Sequence, residues 1–132
     1  MVEPRPDGSH LVRLTLGWPR GDDSRGEAVG HGIPEAIMRA GAEATLAAIA
    51  GGPFPTPAFH LRGVRAVRAF DHRVIIVAID HPDNPGGRPL IGSVAVAAGD
   101  LARGGVLSTL DAVNRIVEAS VPGRKDAAQD LE

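Results

Sequence analysis

The chain has 132 residues, a length typical of one domain, and its 14 Lys and Arg against 16 Asp and Glu give a formal net charge of −2. This balance argues against a protein that binds nucleic acid through phosphate contacts, and the lack of cysteine excludes disulfides, thiolate zinc sites and cysteine nucleophiles. No apolar run reaches the ~20 residues of a membrane span, and Met1–His10 lacks the basic start and apolar core of a signal peptide. We therefore expect a soluble cytoplasmic protein that binds neither nucleic acid nor a membrane.

Segments rich in proline, glycine or polar residues divide the chain. Residues 1–9 and 121–132 are predicted to be flexible tails, because such stretches bury too little apolar area to offset the entropy of ordering them. Residues 51–57, GGPFPTP, are predicted to form a stiff extended linker. The domain is then expected to span 10–120 as two halves, 10–50 and 58–120.

The first half is predicted to contain two strands and a helix. Alternating apolar residues over His10–Trp18 predict a half-buried strand, followed by a polar hairpin loop over 19–26 and a short strand over Glu27–Gly30. A helix is predicted over Pro34–Ala50, because proline suits the first helical turn and Gly51 suits the position after the last.

The second half is predicted to contain three strands and a helix. Arginines three residues apart in its first strand do not fit a period of two, so a β-bulge is expected near Gly63. Asp100 is a suitable N-cap for the helix. The predicted elements are strands Phe59–Phe70, Val74–Ile79 and Leu90–Ala97 and a helix over Leu101–Ser120.

The two halves resemble each other in sequence. A gapless shift of 64 residues brings five of the ten residues in the window 39–48 onto identical residues: Arg39, Gly41, Thr45, Leu46 and Ala48 fall on Arg103, Gly105, Thr109, Leu110 and Ala112. Two copies indicate a duplication, since a solenoid needs at least three. We predict an α+β fold of duplicated ββα and βββα repeats, with a mainly antiparallel sheet and both helices on one face.

Glycines recur at matching places in the two predicted helices. Gly41 and Gly105 lie in helix interiors, where glycine costs up to ~1 kcal/mol relative to alanine. Their repetition indicates close approach of a neighbouring backbone. That neighbour is either the sheet beneath the helix or a second subunit.

Other polar clusters favour structural roles. His81 and Asp83 are two ligands where a zinc site needs three or four, and no serine lies in a G-x-S-x-G context. Arg62, Arg65 and Arg68 are interpreted as protection of a strand edge. We predict no catalytic residue, no metal ion and no cofactor.

The segment 30–36, GHGIPEA, has the clearest potential for binding. Two glycines between a strand and a helix let the backbone approach a ligand, and a helix N-terminus presents free N–H groups to an anion. Glu35 in the first turn would either compete with that anion or pair with an ammonium group, and an amino acid carries both charges. A tight turn without a ligand is the alternative.

The order of strand, loop, strand, GHGIPEA and alanine-rich helix, then a second copy ending in TLDAVNR (109–115), resembles the C-terminal regulatory domain of 2-isopropylmalate and citramalate synthases. The first repeat of that family carries G-N-G-P-x-[DN]-A before its helix. GHGIPEA matches the two glycines, the acidic residue and the alanine, with proline displaced by one. The family's G-x-x…D-[IV]…A segment is matched at Gly92, Asp100-Leu101 and Ala102, with about two extra residues after Gly92. The resemblance spans about residues 10–119.

This resemblance implies a domain that dimerises, binds an amino acid or related acid between its repeats and acts allosterically on a TIM-barrel enzyme. Such a barrel needs ~250 residues, so the regulated enzyme or regulator would be a separate polypeptide. The ligand contacts implied by the match are Gly30, His31, Gly32, Ile33, Pro34 and Ala36 in the first repeat and Gly92, Ser93 and Ala95 in the second.

Three functional hypotheses follow. We predict a non-catalytic, homodimeric, small-molecule-binding regulatory module, an amino-acid sensor that acts on a separate partner protein. The alternatives are a dimeric scaffold that binds no ligand and a small enzyme that uses the glycine-loop pocket.

Overall fold

The computed structural model of the chain describes residues 2–19, 22–84, 86–97 and 99–121. Six strands and two helices lie within these ranges, and they confirm the α+β class. The predicted C-terminal tail, apart from its first residue, falls outside the described residues. The elements are β1 (Val2–Pro4), β2 (Ser9–Leu16), β3 (Ser24–His31), α1 (Pro34–Ala50), β4 (His60–Ala69), β5 (His72–Asp80), β6 (Leu90–Val96) and α2 (Leu101–Ala119).

The strands form two antiparallel sheets where one was predicted. Sheet A has the order β1-β2-β3 and sheet B the order β4-β5-β6. Helix α1 packs mainly on β2 and β3, α2 packs on β5 and β6, and the helices also pack against each other. Each repeat thus buries the apolar face of its own sheet beneath its own helix, because the helix directly follows that sheet in the chain. Neither helix is long and apolar enough to cross a membrane.

The first repeat has a third strand inside the predicted N-terminal tail. Val2–Pro4 pairs with β2, with Val2 opposite Val12, so both repeats are βββα. The carboxylate of Asp7 closes the connecting turn, where it accepts hydrogen bonds from the backbone N–H of Ser9 at 3.0 Å and from its hydroxyl at 2.6 Å. Proline at the end of β1 is compatible with an edge strand, which leaves one side of its backbone unpaired.

Local sequence signals mark several elements correctly. Helix α1 has the predicted bounds, with Pro34 in its first turn and the N–H of Gly51 bonded to the carbonyl of Ala47. The register of β4 against β5 shifts between Leu61 and Gly63, which confirms the predicted bulge. Strand β3 is longer than predicted and begins at Ser24.

The two helices cross at a pair of glycines. A Cβ at Gly41 would overlap the carbonyl oxygen of Ala102, and a Cβ at Gly105 would overlap the carbonyl oxygen of Met38. These two contacts exchange under the shift of 64 residues, so the pseudo-two-fold axis passes through the crossing. The backbone that Gly41 and Gly105 admit is therefore the other helix of the same chain, rather than the sheet or a second subunit.

Candidate functional site

The predicted glycine loop is a tight turn between β3 and α1. Gly32 has a φ of +62°, and the N–H of Ile33 donates to the carbonyl of His31 at 2.7 Å. The residues from His31 to Pro34 are exposed, and among the described residues no side chain caps the helix. The turn presents a helix N-terminus to solvent, and Pro34 and Glu35 at the start of the helix line an open depression of about 480 Å³ between α1 and β4.

The glycines on either side of this predicted site are used for packing within each repeat. A Cβ at Gly30 would overlap the carbonyl oxygen of Ala36 in α1, and a Cβ at Gly92 would overlap the carbonyl oxygen of Ser108 in α2. Both glycines are buried. The close backbone approach expected from these residues is thus made by each repeat's own helix.

The structure does not bring the two groups of predicted ligand contacts together within one chain. Ser93 and Ala95 lie on the exposed face of β6, and the N–H of Ser93 donates to the carboxylate of Asp111 at 3.0 Å. Strand β6 packs on β5 and α2, and in the described part of the chain it has at most marginal contact with β3 or α1. A single site made by both groups would need a second copy of the protein.

A different cleft joins the two repeats, and the sequence did not indicate it. It has a volume of about 160 Å³ and lies where the end of β2 meets the C-terminal parts of both helices. Its apolar walls come from three separated segments of the chain. The lining residues are Leu16, Gly17, Trp18, Pro19, Ile49, Leu110, Asn114, Val117, Glu118 and Val121.

Trp18 forms a fixed wall of this cleft, which we call the Trp18 cleft. Its indole N–H donates to the hydroxyl of Ser24 at 2.7 Å, and that hydroxyl donates to the carbonyl of Ala48 at 2.5 Å. The ring of Phe54 meets the indole edge-on at 5.9 Å between centroids, and a Cβ at Gly52 would lie 2.5 Å from the indole. Because the indole is bonded at its nitrogen and packed by the linker, it is preorganised for a ligand.

Two polar side chains stand at the rim of the Trp18 cleft. Asn114 and Glu118 are one turn apart on α2 and exposed. An amide and a carboxylate can together accept hydrogen bonds from an ammonium group. The cleft therefore offers an apolar pocket for one end of a small molecule and acceptors for the other.

Polar residues elsewhere hold the fold together. Arg62 pairs with Asp80 and donates to the carbonyl of Gly87 at 2.8 Å, so it ties β4 to β5 and to the loop after β5. His81 approaches Asp83 at 3.7 Å. The described residues contain no group of three or more side chains placed to hold a metal ion.

Comparison with known proteins adds no evidence about the function. No family model, no curated protein and no solved structure matches the chain. Functional proposals for the protein therefore depend on its own geometry, together with the sequence resemblance described above.

Proposed function

We propose that the protein is a non-catalytic, small-molecule-binding regulatory module and that its ligand occupies the Trp18 cleft. The observation that carries this proposal is the hydrogen-bonded indole of Trp18 facing an apolar cleft with two acceptors at its rim. Small-molecule sites combine apolar walls with a few convergent polar groups in this way. In the same proposal, the protein forms a homodimer and acts on a separate partner protein.

The size and chemistry of the cleft favour an amino acid or related amine. Its volume of about 160 Å³ compares with the ~150 Å³ cavity that holds benzene, so a branched aliphatic or small aromatic group fits it. Asn114 and Glu118 suit an ammonium group at the rim. This agrees with the amino-acid ligand implied by the resemblance to synthase regulatory domains.

A ligand in the Trp18 cleft would touch both repeats at once. Trp18 belongs to the first repeat, whereas Leu110 and Val117 belong to the helix of the second. Binding would therefore favour one relative position of the two repeats, and a differential affinity of this kind is what allosteric control requires.

The test is a thermal-unfolding screen with amino acids, amines and 2-keto acids, followed by calorimetric titration of each compound that stabilises the protein. A ligand at one hundred times its Kd raises the free energy of unfolding by ~2.7 kcal/mol, a readily measured shift. We expect branched or aromatic amino acids to give it. If no compound shifts the unfolding transition, the proposal is wrong.

Matched variants locate the site. Val117→Phe fills the cleft and should abolish the shift, whereas Ala119→Phe adds the same ring to the exposed side of the same helix and should leave the shift intact. Gly32→Val tests the glycine loop independently of the Trp18 cleft, because Gly32 lies outside that cleft. Loss of binding in Gly32→Val together with normal binding in Val117→Phe would assign the ligand to the glycine loop.

A ligand-free dimeric scaffold is the second candidate function, and the outer face of sheet B favours it. Val67 and Ile91 are 42% and 58% exposed on this face, so apolar area is available for a second copy. The scaffold predicts no ligand-induced shift and a dimer in light scattering that Ile91→Lys dissociates. A monomer at all concentrations excludes it.

A further inference from the structure

The first strands of the two sheets differ in length. Strand β4 has ten residues and pairs along the whole of β5, whereas β1 has three and pairs only with residues 10–12 of β2. Beyond that point, no described residue pairs with Thr15 or Leu16 on the β1 side of the strand. Along the second half of β2, sheet A therefore has two strands where sheet B has three.

Glycine contacts fix which residues of the two sheets correspond. Gly26 packs under α1 at Ala44, and Gly92 packs under α2 at Ser108. These two helix positions are equivalent under the shift of 64 residues. Gly26 pairs with Leu14. Gly92 pairs with Val77. Leu14 thus corresponds to Val77, and by the same register Leu16 corresponds to Ile79.

Equivalent residues are buried to different degrees. Val77 and Ile79 are completely buried, and in β4 they lie opposite Val64 and Leu61. Leu14 and Leu16 are only half-buried. The difference is the area that the first half of β4, from His60 to Val64, covers in sheet B.

Two clefts lie beside the uncovered edge of β2, between that edge and α2, and together they outline a groove. One end is a cleft of about 190 Å³ with mainly apolar walls, and the other end is the Trp18 cleft. The N–H of Ser93 points away from β5, so the backbone of its partner Ile76 points toward β4, and so does that of Ala78 two residues later. Thr15 corresponds to Ala78, and its N–H and carbonyl therefore face the open side of β2. The lining of the first cleft is Val2, Val12, Arg13, Leu14, Ala102, Arg103, Val106 and Leu107.

We propose that this groove, the β2 groove, binds an extended segment of a separate protein chain by strand addition to β2. Sheet B shows what fits, since Phe59 and Leu61 pack into its core two residues apart while His60 between them is exposed. The bound segment then has apolar side chains at alternate positions, as strand addition requires. This proposal does not depend on a ligand in the Trp18 cleft.

Charges at the two ends of the groove orient the segment. A strand antiparallel to β2 starts near Trp18 and ends near Val2. Glu118 lies at the first end and exposed Arg103 at the second. A segment that is basic at its N-terminal end and acidic at its C-terminal end is therefore complementary to the groove.

The probe is a fluorescein-labelled peptide with the sequence of residues 58–67, AFHLRGVRAV, titrated with the full chain by fluorescence anisotropy. We expect binding in the micromolar range, with a tighter Kd when glutamate is added at the C-terminal end of the peptide. A scrambled peptide of the same composition should not bind. Equal binding of the scrambled peptide, or no binding of the first one, overturns the proposal.

Two variants test the location. Leu107→Glu places a charge in the β2 groove without touching the β2–β3 ladder and should weaken peptide binding at least tenfold. Arg115→Glu changes charge on an exposed part of the same helix and should have little effect. Peptide binding that Leu107→Glu leaves unchanged rules the groove out.

Analytical ultracentrifugation of the chain without peptide tests whether the β2 groove is instead occupied by a second copy of this protein. A dimer that Leu107→Glu dissociates and that the peptide displaces would overturn the assignment to a separate chain. Failure of the ligand proposal would be detected separately, because the amino-acid screen and the Val117→Phe variant are measured without peptide.

Discussion

The two repeats follow the same path but finish their sheets differently. In the second repeat, β4 covers β5 completely, and Asp111 of α2 accepts a hydrogen bond from the outward N–H of Ser93 on the free edge of β6. In the first repeat, β1 covers only part of β2. The position equivalent to Asp111 is Ala47, whose methyl group cannot accept a hydrogen bond from the edge of β3.

The hydrophobic core is distributed in the same unequal way. The larger cluster of buried residues is built on Ile75, Val77 and Ile79 of β5, whereas the smaller one joins Val12 to alanines of both helices. The second repeat therefore supplies most of the buried residues of the larger cluster. In the described part of the chain, the first repeat leaves β2 beyond residue 12 without a partner on the β1 side, and it borders both clefts together with α2.

The largest expected effect tests what the two repeats share. Gly41→Ala and Gly105→Ala should each cost about 3 kcal/mol or more, because the new methyl group meets the backbone of the other helix. Chemical denaturation measures both. Gly63→Ala is the control, since a Cβ there meets nothing within 4 Å and the cost should stay below about 1 kcal/mol. Clearly unequal losses at Gly41 and Gly105 would contradict the two-fold crossing.

The next effect measures how the repeats differ. Ile79→Ala should lower the free energy of unfolding by about 3–4 kcal/mol, because its side chain is fully buried. Leu16→Ala removes a similar volume from the equivalent position and should cost about 1–2 kcal/mol, because that side chain is half-buried. Equal losses would mean that Leu16 is covered in solution.

A smaller effect of opposite sign concerns the hairpin turns before the central strands. Phe70 and Asp71 have φ values of +53° and +60°, a conformation that is strained for phenylalanine, whereas the first repeat uses Gly8 at +86°. Changing Phe70-Asp71 to Asn-Gly should stabilise the protein by about 1 kcal/mol, since Phe70 is 95% exposed and loses no packing. Gly8→Ala should destabilise it by a similar amount, and thermal unfolding measures both.

The smallest effect is pH-dependent. The hydrogen bond from the Ser9 hydroxyl, followed by that from its backbone N–H, lowers the pKa of Asp7 in the folded protein. A lowered pKa in the folded state stabilises the protein above the pKa of the unfolded chain, and this stabilisation is lost as pH falls through the folded value. Asp7→Ala should therefore be less stable than the parent at neutral pH and equally stable well below about pH 4. A difference that persists in acid would contradict this origin.

Sequence patterns predicted the elements with strong local signals. Pro34 and Gly51 mark both ends of α1, and the spacing of the arginines around Gly63 revealed the bulge. They did not predict two sheets, because a period of two shows which side chains are buried but not which strands pair. Strand β1 was missed because a short edge strand containing Pro4 has the composition of a tail.

The candidate site was less predictable than the fold. The walls of the Trp18 cleft come from segments that meet only after both helices have packed, so no spacing in the chain identifies them. The one signal was a lone tryptophan, Trp18, at the end of a predicted strand. At position 100, an aspartate precedes α2 as predicted, but its side chain makes no capping hydrogen bond.

The crossing at Gly41 and Gly105 has a consequence for the origin of the chain. Gly41 admits the carbonyl of Ala102 and Gly105 admits that of Met38, and the two pairs are equivalent under the shift of 64 residues, so the interface is the same contact made twice about an axis. That is the geometry of an isologous homodimer, here formed inside one polypeptide. A single ancestral βββα unit would already have carried a surface complementary to a copy of itself, and after fusion the two copies were free to specialise.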